Sequence, residues 1–473
     1  MKIVRPSIVI IVAVCLLAVA PAQEQGGEKP WESWQPPEVQ MPEPNAWDIY
    51  LRAFEMAERI DEGLKALRGE PVVGVGPEPA APPAEAPEEA EEEAQAEAGR
   101  PGPPPMPPGA ETPNAKRPLD FGWAQELETD RLARLVEAYS QVFRALEEAI
   151  AGEAQVSPVR SQEDIGVAFP HFADLRQAAR MFHARSIYHL RQDRALPAAL
   201  DGIACMHLAA DVGTQGTLIA GLVQTACQAI GEAALREAIP DLDAAGAQIA
   251  LNALQRAMAE CASFGEIMEG EAIVGKALYV DIIIPALGEG RELAEIYQDE
   301  ELAERATGVT PEDTWVALTE VFARRTEEAQ KPYWARQQIQ APDNPIAQRS
   351  LATFKRSGLK FAFIEARLRC CVAALAAQAY QANRGAYPES LDQLVPEYLS
   401  EVPRDPFADA ALRSAAGEPV SISRRHPASA RGRVGAGVLT IYSVGADGDD
   451  DGGTDVGHDL EGDGDVALVL TQA

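Results

Sequence analysis

Apolar residues recur at intervals of three and four along much of the chain, the spacing that gathers them on one face of an α-helix. The first such stretch opens at Asn45, a favourable N-cap, and carries Tyr50, Leu51, Phe54, Ile60, Leu64 and Leu67. It predicts an amphipathic helix over 45–69 whose apolar face needs a partner. A second run, Leu132, Leu135, Val136, Tyr139, Val142, Phe143, Leu146 and Ile150, predicts another buried face. Helices are also predicted over 175–192, 198–212, 217–239, 244–260 and 269–287, with breaks at Leu196-Pro197 and Pro240. Thr310-Pro311-Glu312-Asp313 joins a capping hydroxyl, a first-turn proline and acids facing the macrodipole, a well-formed helix start. The last periodic stretch covers 361–384, with Ile364, Leu368, Val372, Leu375, Ala379 and Tyr380 on one side.

Beyond residue 385 the helical period is lost, and short β-prone segments follow at 419–423, 437–443 and 466–470. The fold class expected is mainly α, an irregular helical bundle over 119–358 followed by a small α+β domain over 359–473 with a short antiparallel sheet. No repeat of fixed period with the markers of helical-repeat proteins is present. Residues 70–118 alternate proline runs with Glu88-Glu89-Ala90-Glu91-Glu92-Glu93 and read as a disordered Pro/Glu-rich linker. Residues 23–44 read as disordered too. The 45–69 helix is therefore expected to dock across the linker onto the bundle.

At the N-terminus Lys2 and Arg5 precede an apolar run over 8–20 and the pattern Ala20-Pro21-Ala22, a signal peptide over 1–22. The run is shorter than the roughly 20 residues that cross a bilayer, so export to a periplasmic or extracellular location is expected, with membrane attachment only if the segment is retained. A net charge of −32 excludes polyanionic partners such as nucleic acid and favours divalent cations. Without Cys15, the cysteines are Cys205, Cys227, Cys261, Cys370 and Cys371, with neither CxxC spacing nor a nearby His pair. One bridge, Cys205 to Cys227 across two helices, fits an exported chain; small core residues fit equally.

Candidate chemistry is confined to the C-terminal end. His183 and His189 stand six apart, which is not the spacing of a helical metal pair, and no nucleophile elbow, Ser-x-x-Lys or phosphate-binding loop occurs. The stretch 442–465 holds eight aspartates and one glutamate among seven glycines. Such a composition stays solvated or is neutralised by a cation. Asp447-x-Asp449-x-Asp451-Gly452 matches the first half of an EF-hand loop, although His458 stands where the bidentate Glu belongs. Oxygen ligands on a Gly-rich backbone select calcium over zinc or copper.

Three motifs in order also carry a family resemblance. They are Asn383-Arg384-Gly385-x-Tyr387-Pro388-x-Ser390-Leu391-x-x-Leu394, Val402-Pro403-x-Asp405-Pro406-Phe407, and Ile441-Tyr442-Ser443-x-Gly445-Ala446-Asp447-Gly448 with a Gly/Asp loop closing on Gly464-Asp465-Val466. Together they resemble the C-terminal domain of the major pseudopilin of type II secretion. The resemblance implies a structural calcium ion in the loop before the last strand, held among Asp447, Asp449, Asp451, Asp455, Asp459 and Asp465. The chain departs from that family at its start, and Arg367 and Arg369 interrupt the stretch after Phe361 where a pseudopilin has its membrane-spanning helix. The function expected is an exported, non-enzymatic structural or protein-binding envelope protein with a calcium-stabilised pseudopilin-like domain, whose partner is another envelope protein. The alternatives are an envelope enzyme with a site in the helical domain and an atypical type II secretion component.

Overall fold

The computed structural model describes residues 29–67, 124–125, 127–156, 171–285, 299–351, 354–416, 438–456 and 464–471. The expected signal peptide, the whole of the expected linker over 70–118 and the expected strand at 419–423 lie outside them. Two units are present, residues 1–34 and 35–473. In the first, residues 29–34 form a turn in which the Glu32 amide donates to the Lys29 carbonyl.

The second unit holds the helices α1 (Trp47–Leu67), α2 (Thr129–Ala138), α3 (Ser140–Ala151), α4 (His171–Leu190), α5 (Ala195–Gly213), α6 (Leu218–Ala238), α7 (Ala244–Glu260) and α8 (Phe264–Leu278). These are followed by α9 (Glu300–Arg305), α10 (Pro311–Ala329), α11 (Pro345–Arg349) and the long α12 (Phe354–Arg384), then strands β1 (Arg413–Ala416), β2 (Val438–Ser443) and β3 (Val466–Thr471). The strands make one antiparallel sheet in the order β1-β2-β3, with Arg413 opposite Tyr442 and Ile441 opposite Leu468. The fold is thus mainly helical with a small antiparallel sheet, as the periodicity predicts.

Capping chemistry sets the helix starts. Asn45 Oδ1 accepts from the Trp47 and Gln155 amides, while its Nδ2 donates to the Gln155 carbonyl. The N-cap of α1 is therefore also its tie to the chain after α3. Trp47, Tyr50 and Ala53 enter one core with Leu132, Phe143, Leu146, Phe182 and Leu208, and Tyr50 donates 2.5 Å to buried Asp211. The docking expected for this helix is present. Thr310 caps α10 through the Asp313 amide, and Ser263 and Glu266 form a capping box that starts α8 earlier than the predicted 269. After Leu278 the helix widens to a π-turn over Tyr279–Ile283.

α5 and α6 pack at glycine. A Cβ on Gly231 would stand 2.4 Å from the Gly202 carbonyl oxygen, and one on Gly202 would stand 2.8 Å from that of Gly231. The segments Ala195–Gly213 and Leu218–Asp241 are long and apolar enough to cross a membrane by composition, but 72% and 67% of their apolar windows are buried within the protein. Their apolarity is consumed by the core.

α12 joins the sheet to the bundle. From Cys370 to Ala377 every residue is buried. One side packs on β2 and β3, and the other on α6 and α7. A single apolar cluster runs from Ile203, Leu235, Leu251 and Leu254 through Leu368 and Leu375 to Leu439, Ile441, Leu468 and Leu470. The boundary expected at 358/359 therefore crosses a shared core. Two polar anchors lock the helix in place. Gln378 donates to the carbonyls of Pro240 and Leu242 and accepts from Tyr387, while Arg367 pairs at 3.2 Å with Glu232, which also holds Arg236.

Of the two alternatives left open for the cysteines, the structure takes the second: Cys205 and Cys227 form no bridge, and all five described cysteines are free. The two thiols face different carbonyls. Cys205 donates to Ala179 and Asp201, Cys227 to Leu175, and burial pushes the Cys227 thiol up to about 12.

The glycine contact yields a stability prediction. Gly231→Ala gains about 1 kcal/mol of helix propensity, but its methyl strikes backbone, and overpacking of this kind costs about 1–3 kcal/mol. A net loss is expected, read as a lower urea midpoint. A midpoint at or above the native value would contradict the packing described.

Candidate metal centre

The acidic loop leaves β2 after Ser443 and returns at Val466. Its two ends touch. Gly445 has a φ of 73°, and a Cβ there would stand 2.3 Å from the Gly464 carbonyl oxygen, so only glycine fits. The Asp465 amide donates 2.8 Å to the Thr454 carbonyl and the Val456 amide 2.8 Å to that of Asp465, which folds the loop back on itself. Gly453, at φ 87°, lies over the Thr440 and Tyr442 side chains, close enough to exclude a Cβ.

Two buried carboxylates flank this loop, and their surroundings differ. Asp405, 2% exposed, accepts from the Phe407 amide at 2.9 Å, the Ser443 hydroxyl at 2.6 Å and the Val444 amide at 3.0 Å. Both its oxygens are satisfied by protein donors. Asp465 is fully buried, and its Oδ2 accepts from the Gly453 amide at 2.7 Å. Its Oδ1 is buried with no hydrogen-bond partner among the described residues. Burial pushes the Asp465 carboxyl up to about 6, reinforced by the charges of Asp450, Asp451 and Asp447 and opposed by the Gly453 amide. A buried acceptor without a donor is costly, and a buried charge more so. A cation would neutralise the charge and fill the empty coordination direction together.

The residues predicted for that role are placed as follows. Asp447 is exposed and accepts from the Asp449 amide at 3.1 Å and the Gly464 amide at 2.8 Å, so it clasps the loop ends. Asp449 and Asp451 are exposed on the loop crest. Asp455 accepts from the Ala467 amide at 3.3 Å, and Asp459 lies outside the described residues. Among the described residues no three acidic, His or Cys side chains converge closely enough to hold an ion. Like charges repel, and each carboxylate takes the amide or hydroxyl nearest to it. Asp450, which the sequence reading passed over, accepts from the Tyr442 hydroxyl at 3.2 Å and pairs with Arg413 at 3.3 Å, tying the loop to β1 and β2. Asp405 was quoted there only as part of a motif. Its role depends on Ser443 and Val444, far along the chain, which local spacing does not reveal.

No family model, curated protein or solved structure matches the chain. Site chemistry therefore rests on geometry. The described side chains of the acidic loop offer carboxylate oxygens, a donor type that suits a hard cation such as calcium and not zinc or copper. The described histidines lie elsewhere. His207 meets Glu260 at 2.8 Å, and His189 stands 3.7 Å from Asp201 with its pKa lowered to about 4 by burial, Arg194 and Arg185. Arg185 itself forks onto Asp201 and stacks 4.3 Å from the Phe143 ring. That cluster is an internally compensated ion pair between α4 and α5.

The raised Asp465 carboxyl fixes the sign of a pH effect. Without cation the folded chain holds this proton up to about pH 6, while the unfolded chain releases it near its ordinary value of about 3.9. The contribution is present below the unfolded value and is lost as pH rises through 6. In chelator, Asp465→Asn is expected to melt above the native chain at pH 7 and not above it at pH 4. A variant that melts lower at pH 7 would overturn this account.

Proposed function

We propose that the chain is an exported, non-enzymatic envelope protein whose helical bundle is a binding scaffold, stabilised by calcium in a pseudopilin-like C-terminal module. The single observation that carries the calcium reading is the buried Asp465 Oδ1, which lacks a donor among the described residues and lies beneath a loop crowded with carboxylates. Asp465 and Asp447 are the first residues assigned to the ion, with Asp449, Asp451, Asp455 and Asp459 as further ligands drawn from the same loop. Bound there, calcium would supply positive charge to a junction that the fold otherwise leaves repulsive.

The architecture supports the pseudopilin-like reading. A long helix lies across an antiparallel sheet, and the Gly/Asp loop connects the last two strands. An open apolar groove on the bundle suits a binding role. One cavity is a small, partly open space of about 10 Å³ lined by Leu135, Val136, Tyr139, Phe143, Met181 and Ala184. Another is an open groove of about 350 Å³ lined by apolar side chains and Arg176. Neither gathers an acid, a base and a nucleophile.

Because α12 is shared with the bundle, the test uses the full chain. Calcium that binds the folded state alone adds about 2.7 kcal/mol at a hundredfold excess over Kd. The native chain is expected to melt several degrees higher in calcium than in chelator, and Asp447→Ala is expected to lose most of that increment. Identical melting curves in calcium and chelator at neutral pH would refute the calcium assignment.

A further inference from the structure

The groove of about 350 Å³ runs between the N-terminal halves of α4 and α6, lined by Phe172, Ala173 and Arg176 on one side and Ile219, Leu222 and Val223 on the other. Ile219 is 47% exposed, a large apolar side chain left in water at the groove mouth. α5 runs antiparallel to both helices, with Cys205 against Ala179 and Asp201 against Arg185 of α4, and Gly202 against Gly231 and Gly213 against Gln224 of α6, so α4 and α6 run in the same direction. Both N-termini, and the partial positive charge they carry, lie at the same end.

A row of basic side chains runs along α4 beside the groove. Arg176, Arg180 and His183 occupy positions i, i+4 and i+7 of α4 and so share a face. Neither Arg176 nor Arg180 has a hydrogen-bond or ion-pair partner among the described residues, and the Nε2 of His183 is buried without one. α6 carries no charged residue before Glu232, and Glu232 is committed to Arg236 and Arg367. The nearby acids are engaged locally. Asp174 stands 3.6 Å from His171, and Glu271 accepts from the Leu218 amide at 2.8 Å. In a chain of net charge −32, unmatched arginines beside an apolar groove are a local inversion of sign.

We infer that this groove is the docking site for an acidic amphipathic helix of a partner protein. Its apolar residues would cover Ile219 and Leu222, and carboxylates four residues apart would meet Arg176 and Arg180, the helix-in-groove mode of recognition. The inference rests on the binding role proposed above and is independent of the calcium assignment.

The test uses the full chain and a labelled synthetic amphipathic helix with Leu on one face and Glu at i, i+4 beside it, followed by fluorescence anisotropy. A control peptide carries Lys at the Glu positions. The acidic peptide is expected to bind, more weakly at high salt, and the control is not. Arg176→Glu with Arg180→Glu is expected to weaken binding about tenfold or more, since like charges then face each other, and Ile219→Asp is expected to do the same. Both variants are expected to keep the native helical circular dichroism and a cooperative urea transition in chelator, which shows that they fold and keeps this result separate from the fate of the metal site. Equal binding of both peptides, unchanged affinity in the charge-reversed variant, or no binding of the acidic peptide overturns the proposal. Self-association in sedimentation that Ile219→Asp abolishes, with no peptide bound, overturns it in favour of a second copy of the chain.

Discussion

The burial of α12 on all sides between Cys370 and Ala377 is the constraint on which the rest depends. A helix without a solvent face must satisfy two partners at once, here a sheet of three strands and a bundle of helices. Small side chains answer that demand. Cys370, Cys371, Ala373, Ala374, Ala376 and Ala377 let backbones approach from both sides, while Leu368 and Leu375 fill the remaining volume. Gln378, buried among them, is engaged by three partners. Arg367 at the same depth requires Glu232. Removing one member of such a pair leaves an uncompensated buried charge, which is far worse than replacing both.

The acidic loop depends on that helix through β3. Asp465 begins the strand, Val466 accepts from the Cys370 thiol, and Val466 packs with Leu359, Phe363, Phe407 and Val444. Electrostatic repulsion among Asp447, Asp450, Asp451 and Asp465 is thus applied where β3 enters the core. Asp405 holds the other side of the junction through three donors. One carboxylate is complete with protein donors alone, and its neighbour is not. The asymmetry separates a structural aspartate from a candidate ligand more clearly than acidity does, since both are equally acidic in sequence.

Features set by near neighbours in the chain were legible from the sequence. Asn45 and Thr310 cap as their residue types dictate, and β2 and β3 follow from β-branched runs bounded by glycine. β1 was missed because Arg413-Ser414-Ala415-Ala416 has no apolar alternation; an edge strand needs little more than a neighbour to pair with. The separation into two domains was inferred from the change of period near residue 385. A change of period marks a change of secondary structure and carries no information on whether two elements share a core. The burial of Arg367 is not legible in the sequence because its partner Glu232 lies 135 residues away. The aspartate cluster was visible as composition, whereas the burial of Asp465 and the roles of Asp405 and Asp450 arise only from the return of the strand.

One turn of α12 relates the two candidate sites. Phe361 packs with Leu218, Phe264 and Ile267, and its ring approaches Gly221 of α6 so closely that a Cβ there would stand 2.8 Å away. Phe363, two residues on, faces the loop junction with Phe407 and Val444. The helix bordering the groove and the strand entering from the acidic loop therefore rest on opposite sides of the same turn. Close-packed interiors transmit displacement because they leave little free volume to absorb it. A shift of β3 on neutralising the loop would thus bear on the start of α6 through Phe363 and Phe361. By linkage, any such coupling is reciprocal, so a helix seated in the groove would change cation affinity by the same factor that the cation changes its own.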